Sequence, residues 1–361
     1  MKKTINLASP SVGFKEIRSV SRVLRSGNLA QGKEVLKFEK SFSHLVDERE
    51  CIAVNSGTSA LYIACLSLGV GVGDEVILPS FSFAATANAV ALTGASPVFV
   101  DIQIGSYNID PAEVEKKITS KTKAILVVHL YGLCADMPSI LRIANKHNLL
   151  VIEDAAQAHL ASIDGNRAGT FGDAAAFSFY PTKNMTSGEG GMVVLKDNSA
   201  SRFARMFRNQ GMEIRYQNEI IGMNLRMTDV HAAIGNVQIL QLERRTQSRE
   251  QNASFLSQRI EGVDTPKSNP GYRHVYHQYT ILTKFDRMKF RESLLHFGVQ
   301  SDTYYPNPIH RLKPYQSGDD LPVTDSCAEQ VLSIPVHPAL SKKDLIKIVS
   351  AVNRTVRIVA R

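Results

Sequence analysis

The sequence has few cysteines, no long hydrophobic run, and no excess of any one residue type that would mark a fibrous or disordered chain. Its four cysteines, Cys51, Cys65, Cys134 and Cys327, are scattered, with no CxxC pair and no histidine pair at metal-ligand spacing. A disulfide framework and a zinc site are therefore both poorly supported, and buried reduced thiols are expected. No metal is expected. No uninterrupted apolar stretch is long enough to span a bilayer. The opening MKKTINLASPSVGF carries two lysines with no apolar segment behind them, unlike a secretory signal. The expectation is a soluble, cytoplasmic protein with no membrane partner.

What remains is ordinary globular composition: 361 residues, 43% hydrophobic and 21% charged. That length suits one large domain and a smaller one, each with its own core. The formal net charge is +8. The basic residues are spread along the chain and mixed with acids, as in ERRTQSRE, with no basic stripe interleaved with aromatics. A nucleic-acid partner is not expected, whereas a small pyrophosphate-bearing substrate would benefit from the charge.

The first fifty residues carry apolar positions at helical spacing. From Cys51 onward short β-rich runs recur: CIAVNS, DEVILPS, SPVFVDI, KAILVVHLYG, NLLVIEDAA, AAAFSFYP and GMVVLKD. Continuous apolar strands separated by helical connections predict a mostly parallel sheet covered on both faces. After Thr228 the segment TDVHAAIGNVQILQLERRTQSREQNASFLSQRI has no proline and one glycine, and reads as one long helix leaving the large domain. The rest holds a strand (HQYTILT), a helix (RMKFRESLLHFG), a proline-rich loop and a final helix (SKKDLIKIVSAVNRTV). The expected division is residues 1–245, a large domain with an N-terminal helical segment, and 246–361, a smaller α+β domain.

Ligands of open α/β sheets bind beyond the carboxyl ends of the strands, which directs attention to three places. In NSGTSALYIACLSLG, a strand ends in a glycine turn that opens a helix, so Gly57, Thr58 and Ser59 could cradle a phosphate. An ordinary Ser/Thr helix cap is the competing reading, and for this segment by itself the better one. In NLLVIEDAAQAH, an apolar run leads into Glu153 and Asp154. A carboxylate there must be paired, hydrogen-bonded or protonated. A protonated pyridinium nitrogen is one partner that would keep it ionised, a structural ion pair or metal ligation another, and only one of the two acids need be functional. In DAAAFSFYPTKNMTSGEGGMVV, a buried strand runs into Lys183 and a glycine-rich loop. Desolvation there would make the amine a usable nucleophile toward an aldehyde, and the glycines would let backbone approach a flat cofactor.

In this order and spacing the chain resembles the DegT/StrS-type sugar-nucleotide aminotransferases, a branch of the fold-type-I pyridoxal-phosphate (PLP) enzymes. The resemblance runs over nearly the whole chain, through SGNLAQGKEVLKFE, NSGTSAL, GDEVILPSFSFAATANAV, VIEDAAQAH, FSFYPTKNMTSGEGGM, GMNLRMTDVHAAIGNVQ and YYPNPIH. It implies the fold-type-I architecture, a large domain with a seven-stranded mostly parallel sheet and a smaller C-terminal α+β domain. It also implies catalytic roles for Lys183, as Schiff-base lysine and proton shuttle, and for Asp154 at the pyridine nitrogen. Gln157 would contact the ring hydroxyl and Phe83 would stack on the ring. Gly57, Thr58 and Ser178 would hold the phosphate, joined by Asn224 of the neighbouring subunit in a homodimer. His310 and Tyr305 would lie near the sugar nucleotide.

Relatives that replace the lysine by histidine dehydrate sugars, so Lys183 implies transamination, with glutamate as the expected donor and a keto-sugar nucleotide as acceptor, as in deoxyaminosugar and polysaccharide biosynthesis. Loop similarity favours a 4-keto-6-deoxy sugar over a 3-keto one. One departure is Leu160, where the family usually has glycine. Another PLP reaction of the same fold type, an aldolase or a desulfurase, is an alternative, although no cysteine lies in a flexible Gly/Ser-rich loop as a desulfurase would need. A non-enzymatic regulator would be expected to have lost the lysine or the acid, and both are present.

Overall fold

The computed structural model describes residues 4–360. All seven β-rich runs become strands of one sheet: β1 (Glu50–Val54), β2 (Glu75–Pro79), β3 (Ser96–Val100), β4 (Thr122–Val128), β5 (Leu150–Asp154), β6 (Ala174–Ser178) and β7 (Gly191–Leu195). Their spatial order is β1-β7-β6-β5-β4-β2-β3. Strands β2 to β6 pair in parallel, and β7 runs antiparallel to both neighbours. Alternation along each strand feeds two cores. Ile52, Leu78, Leu126, Ile152 and Ala176 face one side, and Ala53, Ile77, Val127, Val151 and Phe177 the other. Helices cover both faces, which explains why the strands read as continuous apolar runs.

Beyond the sheet, the expected long helix is two segments. Asp229–Gln238 ends in a tight 3-10 turn at Ile239–Gln241, and Leu242–Ser257 follows. The first packs against the N-terminal helices Phe14–Ser26 and Lys33–Ser43. The second carries Ala253 and Leu256 into a separate core with Tyr279, Ile281, Phe290, Leu332 and Ile348. The two segments serve different cores, and the expected division at 245/246 falls inside the second segment. The expected strand HQYTILT is Tyr279–Leu282, paired antiparallel with Val331–Ile334. That second strand is too short to announce itself by pattern. The proline-rich loop also hides a helix, Pro322–Gln330, which begins on its own proline, where the missing N–H costs nothing. The final helix, Lys342–Val359, opens on a Ser341/Asp344 capping box.

All four cysteines are free and buried. Among the described residues no helix is long and apolar enough to cross a membrane, and no group of His, Cys, Asp and Glu could hold a metal ion.

Candidate active site

The carboxyl ends of β1, β2, β4, β5 and β6 all open on one edge of the sheet, and the chemistry-bearing segments gather there. Past β1, Ser56 caps the helix Gly57–Ser67, its hydroxyl accepting from Ser59 N–H at 3.1 Å. The cap and the phosphate readings are therefore compatible: Ser56 does the capping, which leaves the N–H groups of Gly57 and Thr58 at the first two helical positions, where no intrahelical acceptor exists. A side chain at Gly57 would place its Cβ 2.7 Å from Ser178 Cβ, so glycine is what lets the end of β6 close against this turn. Gly191 does the same from β7, where a Cβ would stand 2.3 Å from Ser56 O. At that position glycine was expected to admit a cofactor; it admits the neighbouring backbone instead.

Asp154 ends β5 and is 6% exposed. Its Oδ2 accepts from Thr86 Oγ1 at 2.9 Å and its Oδ1 from Ala156 N–H at 3.2 Å. Burial raises its pKa above the usual carboxylate range, opposed by these hydrogen bonds and by the charge of Lys183. Lys183 follows β6 on a turn closed by its own N–H to Tyr180 O at 3.0 Å. Its side chain is half-buried, and among the described residues it makes no hydrogen bond or ion pair. Desolvation brings its pKa down to about 8, with Asp154 pulling the other way. Beneath it His159 lies fully buried against Phe177 and Phe179. Burial, then the lysine charge, lowers its pKa to about 3, so this ring is neutral packing.

Gln157 is fixed at both ends: Oε1 accepts from Tyr131 N–H at 2.8 Å, and Nε2 donates to Tyr305 Oη at 3.1 Å. Phe83 is 58% exposed, with its ring centroid 5.7 Å from that of Tyr305. Gly57, Thr58, Phe83, Asp154, Gln157, Ser178, Lys183 and Tyr305 thus belong to one edge of the sheet and the loops above it. Two expected residues stand apart. Asn224 is exposed, bridged to Asn209. It makes no hydrogen bond to Gly57, Thr58 or Ser178 of its own chain among the described residues. His310, expected beside the sugar, is completely buried instead. Ser80 Oγ accepts from the His310 backbone N–H at 3.0 Å and shares a 2.6 Å hydrogen bond with the ring Nδ1. Nε2 stands 3.4 Å from Asp325 Oδ1. This ring pins the small-domain loop to the end of β2 and presents no surface to a substrate.

Leu160 lies at φ 70°, in the left-handed region that a glycine would adopt freely, and is buried in the core. The departure from glycine carries backbone strain of about 1–2 kcal/mol, offset by a packed side chain. Sequence reasoning missed Thr86 and Tyr131. Thr86 and Asp154 are 68 positions apart, and only the sheet order, with β2 and β5 on either side of β4, brings their loops together.

Comparison with known proteins agrees with this geometry. The profile of the DegT/DnrJ/EryC1/StrS aminotransferase family matches residues 10–353. A UDP-N-acetyl-3-dehydro-alpha-D-glucosamine 3-aminotransferase of Acidithiobacillus ferrooxidans is 39% identical over 346 residues, covering 94% of this chain and 93% of its own. S. venezuelae DesV, solved in complex with a ketimine intermediate, superimposes with a TM-score of 0.94 at 36% identity, over 98% of this chain and 99% of its own. NtdA of Bacillus subtilis, solved with the cofactor PMP bound, gives 0.92 at 30% identity, over 99% and 86%. The chain belongs to the DegT/DnrJ/EryC1/StrS aminotransferase family.

Proposed function

We propose that this protein uses pyridoxal 5′-phosphate to move an amino group from glutamate to a keto-sugar nucleotide, working as a cytoplasmic homodimer. The observation that carries the reading is the Lys183–Asp154 arrangement, an amine brought down to about pKa 8 within electrostatic reach of a buried carboxylate with acceptor capacity left over. The residues fit the cofactor in three separate respects. The N–H groups of Gly57 and Thr58 open a helix, with Ser178 packed against Gly57, and donors of this kind would hold a phosphate. Asp154 offers an anion to a ring nitrogen. Gln157, its Oε1 engaged by Tyr131 N–H and one amide proton given to Tyr305 Oη, has a second amide proton that would serve a ring hydroxyl.

When bound, the cofactor supplies an aldehyde that takes up amines and a ring that accommodates the electron pair left on the substrate carbon. The chain supplies the rest. Lys183 Nζ would supply the neutral amine that the aldehyde takes up, and would hold and move the proton at the substrate carbon. Asp154 would pair with the ring nitrogen and favour its protonated form. Phe83 would stack on the ring, with Tyr305 beside it. Asn224, exposed in one chain, would complete the phosphate site from the partner subunit.

The TSGEGG loop and the GMNLRMTDVHAAIG segment support a 4-keto sugar. A second reading, a 3-keto sugar, is supported by the relative named a 3-aminotransferase. Visible spectra of the protein with PLP, then glutamate, then each ketosugar nucleotide test both. The reading expects the visible band of the lysine-bound cofactor to fade with glutamate and return with one ketosugar. Return with the 4-keto compound supports the first position, and return with the 3-keto compound the second. A band that glutamate does not change contradicts the donor, and no band at all contradicts the cofactor.

A further inference from the structure

A buried carboxylate that must stay ionised and point in one direction needs donors of its own. Among the described residues, Thr86 makes the only side-chain hydrogen bond to Asp154, at 2.9 Å, and has no exposed surface. Its hydroxyl has a single proton. With that proton given to Asp154 Oδ2, the 2.8 Å contact with Ser82 Oγ must have Ser82 as donor. Ser82, Thr86 and Asp154 therefore form a hydrogen-bonded chain with one consistent direction, ending on the acid. The same turn carries Phe83, whose carbonyl accepts from Thr86 N–H at 3.1 Å. One short segment thus holds both the acid at the ring nitrogen and the aromatic side chain beside the ring.

We propose that Thr86, oriented by Ser82, is a positioning residue whose hydroxyl keeps Asp154 ionised and aimed at the cofactor nitrogen, an inference that rests on the PLP reading above. Thr86 touches no reacting atom and acts through Asp154. Valine has nearly the shape of threonine and no hydroxyl, so Thr86→Val removes the hydrogen bond with little change in packing, while Thr86→Ser keeps it.

The experiment measures the dissociation constant for PLP and the rate of the glutamate half-reaction across pH, in wild type, T86V, T86S, D154N and the T86V/D154N pair. A hydrogen bond to a charged group corresponds to about 10- to 100-fold. T86V is expected to weaken PLP binding and slow the half-reaction by a factor in that range. Its KM for glutamate should change little, and the acidic limb of its pH profile should move to higher pH. T86S is expected to recover activity to within about threefold of wild type. In the D154N background T86V should cost less than about twofold, because the acid it serves is gone. Equal losses in both backgrounds, or a T86V protein identical to wild type, would overturn the proposal while the cofactor reading stands. A wild type that forms no visible band with PLP overturns the cofactor reading and this inference with it.

Discussion

Glu153 and Asp154 are neighbours at the end of one strand, and the two sides of the sheet treat them in opposite ways. On the side shared with Val151, Glu153 has no exposed surface and four donors. Oε2 accepts from His129 Nε2 at 2.9 Å and Gly169 N–H at 2.7 Å, and Oε1 from Phe171 N–H at 2.9 Å and Gly172 N–H at 2.7 Å. His129 Nδ1 accepts from Ala135 N–H at 3.1 Å, which assigns its proton to Nε2. On the side shared with Ile152, Asp154 has two donors and faces Lys183 electrostatically. A saturated carboxylate ties a loop to a strand, whereas one with acceptor sites left can engage a ligand. Two buried acids thus have different work, and the count of donors tells them apart.

The comparison can be broken most sharply on the side of the site. Lys183→Ala should abolish turnover and the visible cofactor band while leaving the circular dichroism spectrum and thermal midpoint near those of wild type; retained turnover would remove the lysine from the chemistry. Asp154→Asn should slow the half-reactions about a hundredfold or more with little loss of stability, since burial already works against the charge that is removed. Glutamate at 153 should behave in the reverse manner. Glu153→Gln turns an amide into facing backbone donors and should lower unfolding free energy by about 2–4 kcal/mol, while the folded fraction keeps kcat within about threefold, as denaturant melts paired with active-site titration would read. A fall in kcat as large as that of Asp154→Asn would erase the distinction.

The smallest of these tests is a pH series. Only the neutral amine of Lys183 attacks an aldehyde, and burial places its pKa at about 8. Capture of PLP by the apoprotein should therefore speed up as pH rises, by up to about tenfold per unit, and level off above about pH 8. Removing Asp154, which raises that pKa, should move the plateau to lower pH.

Much of this was legible before any coordinates. The seven strands showed because each is buried on both faces and reads as an unbroken apolar run. Lys183, Asp154 and Gly57 stood out because each sits at or shortly after the end of a strand, and Ser178 entered only through the family resemblance. What stayed hidden depends on contacts between distant segments. Thr86 has meaning only through a partner 68 residues away. His310 looked like a substrate contact because its motif was read without its burial, and the Ser80 and Asp325 contacts that bury it come from different elements. The 3-10 interruption at Ile239–Gln241 has no proline to announce it.

The central claim is that Lys183 is the residue that binds the cofactor covalently, and borohydride tests it without any substrate. PLP is added to the purified protein, the bond to lysine is reduced, and the digest is mapped by mass spectrometry. The account predicts one phosphopyridoxyl group per chain, on Lys183 within FSFYPTKNMTSGEGG, and none on Lys183→Ala. Stoichiometric labelling at another lysine, or no labelling of the wild type, would contradict it.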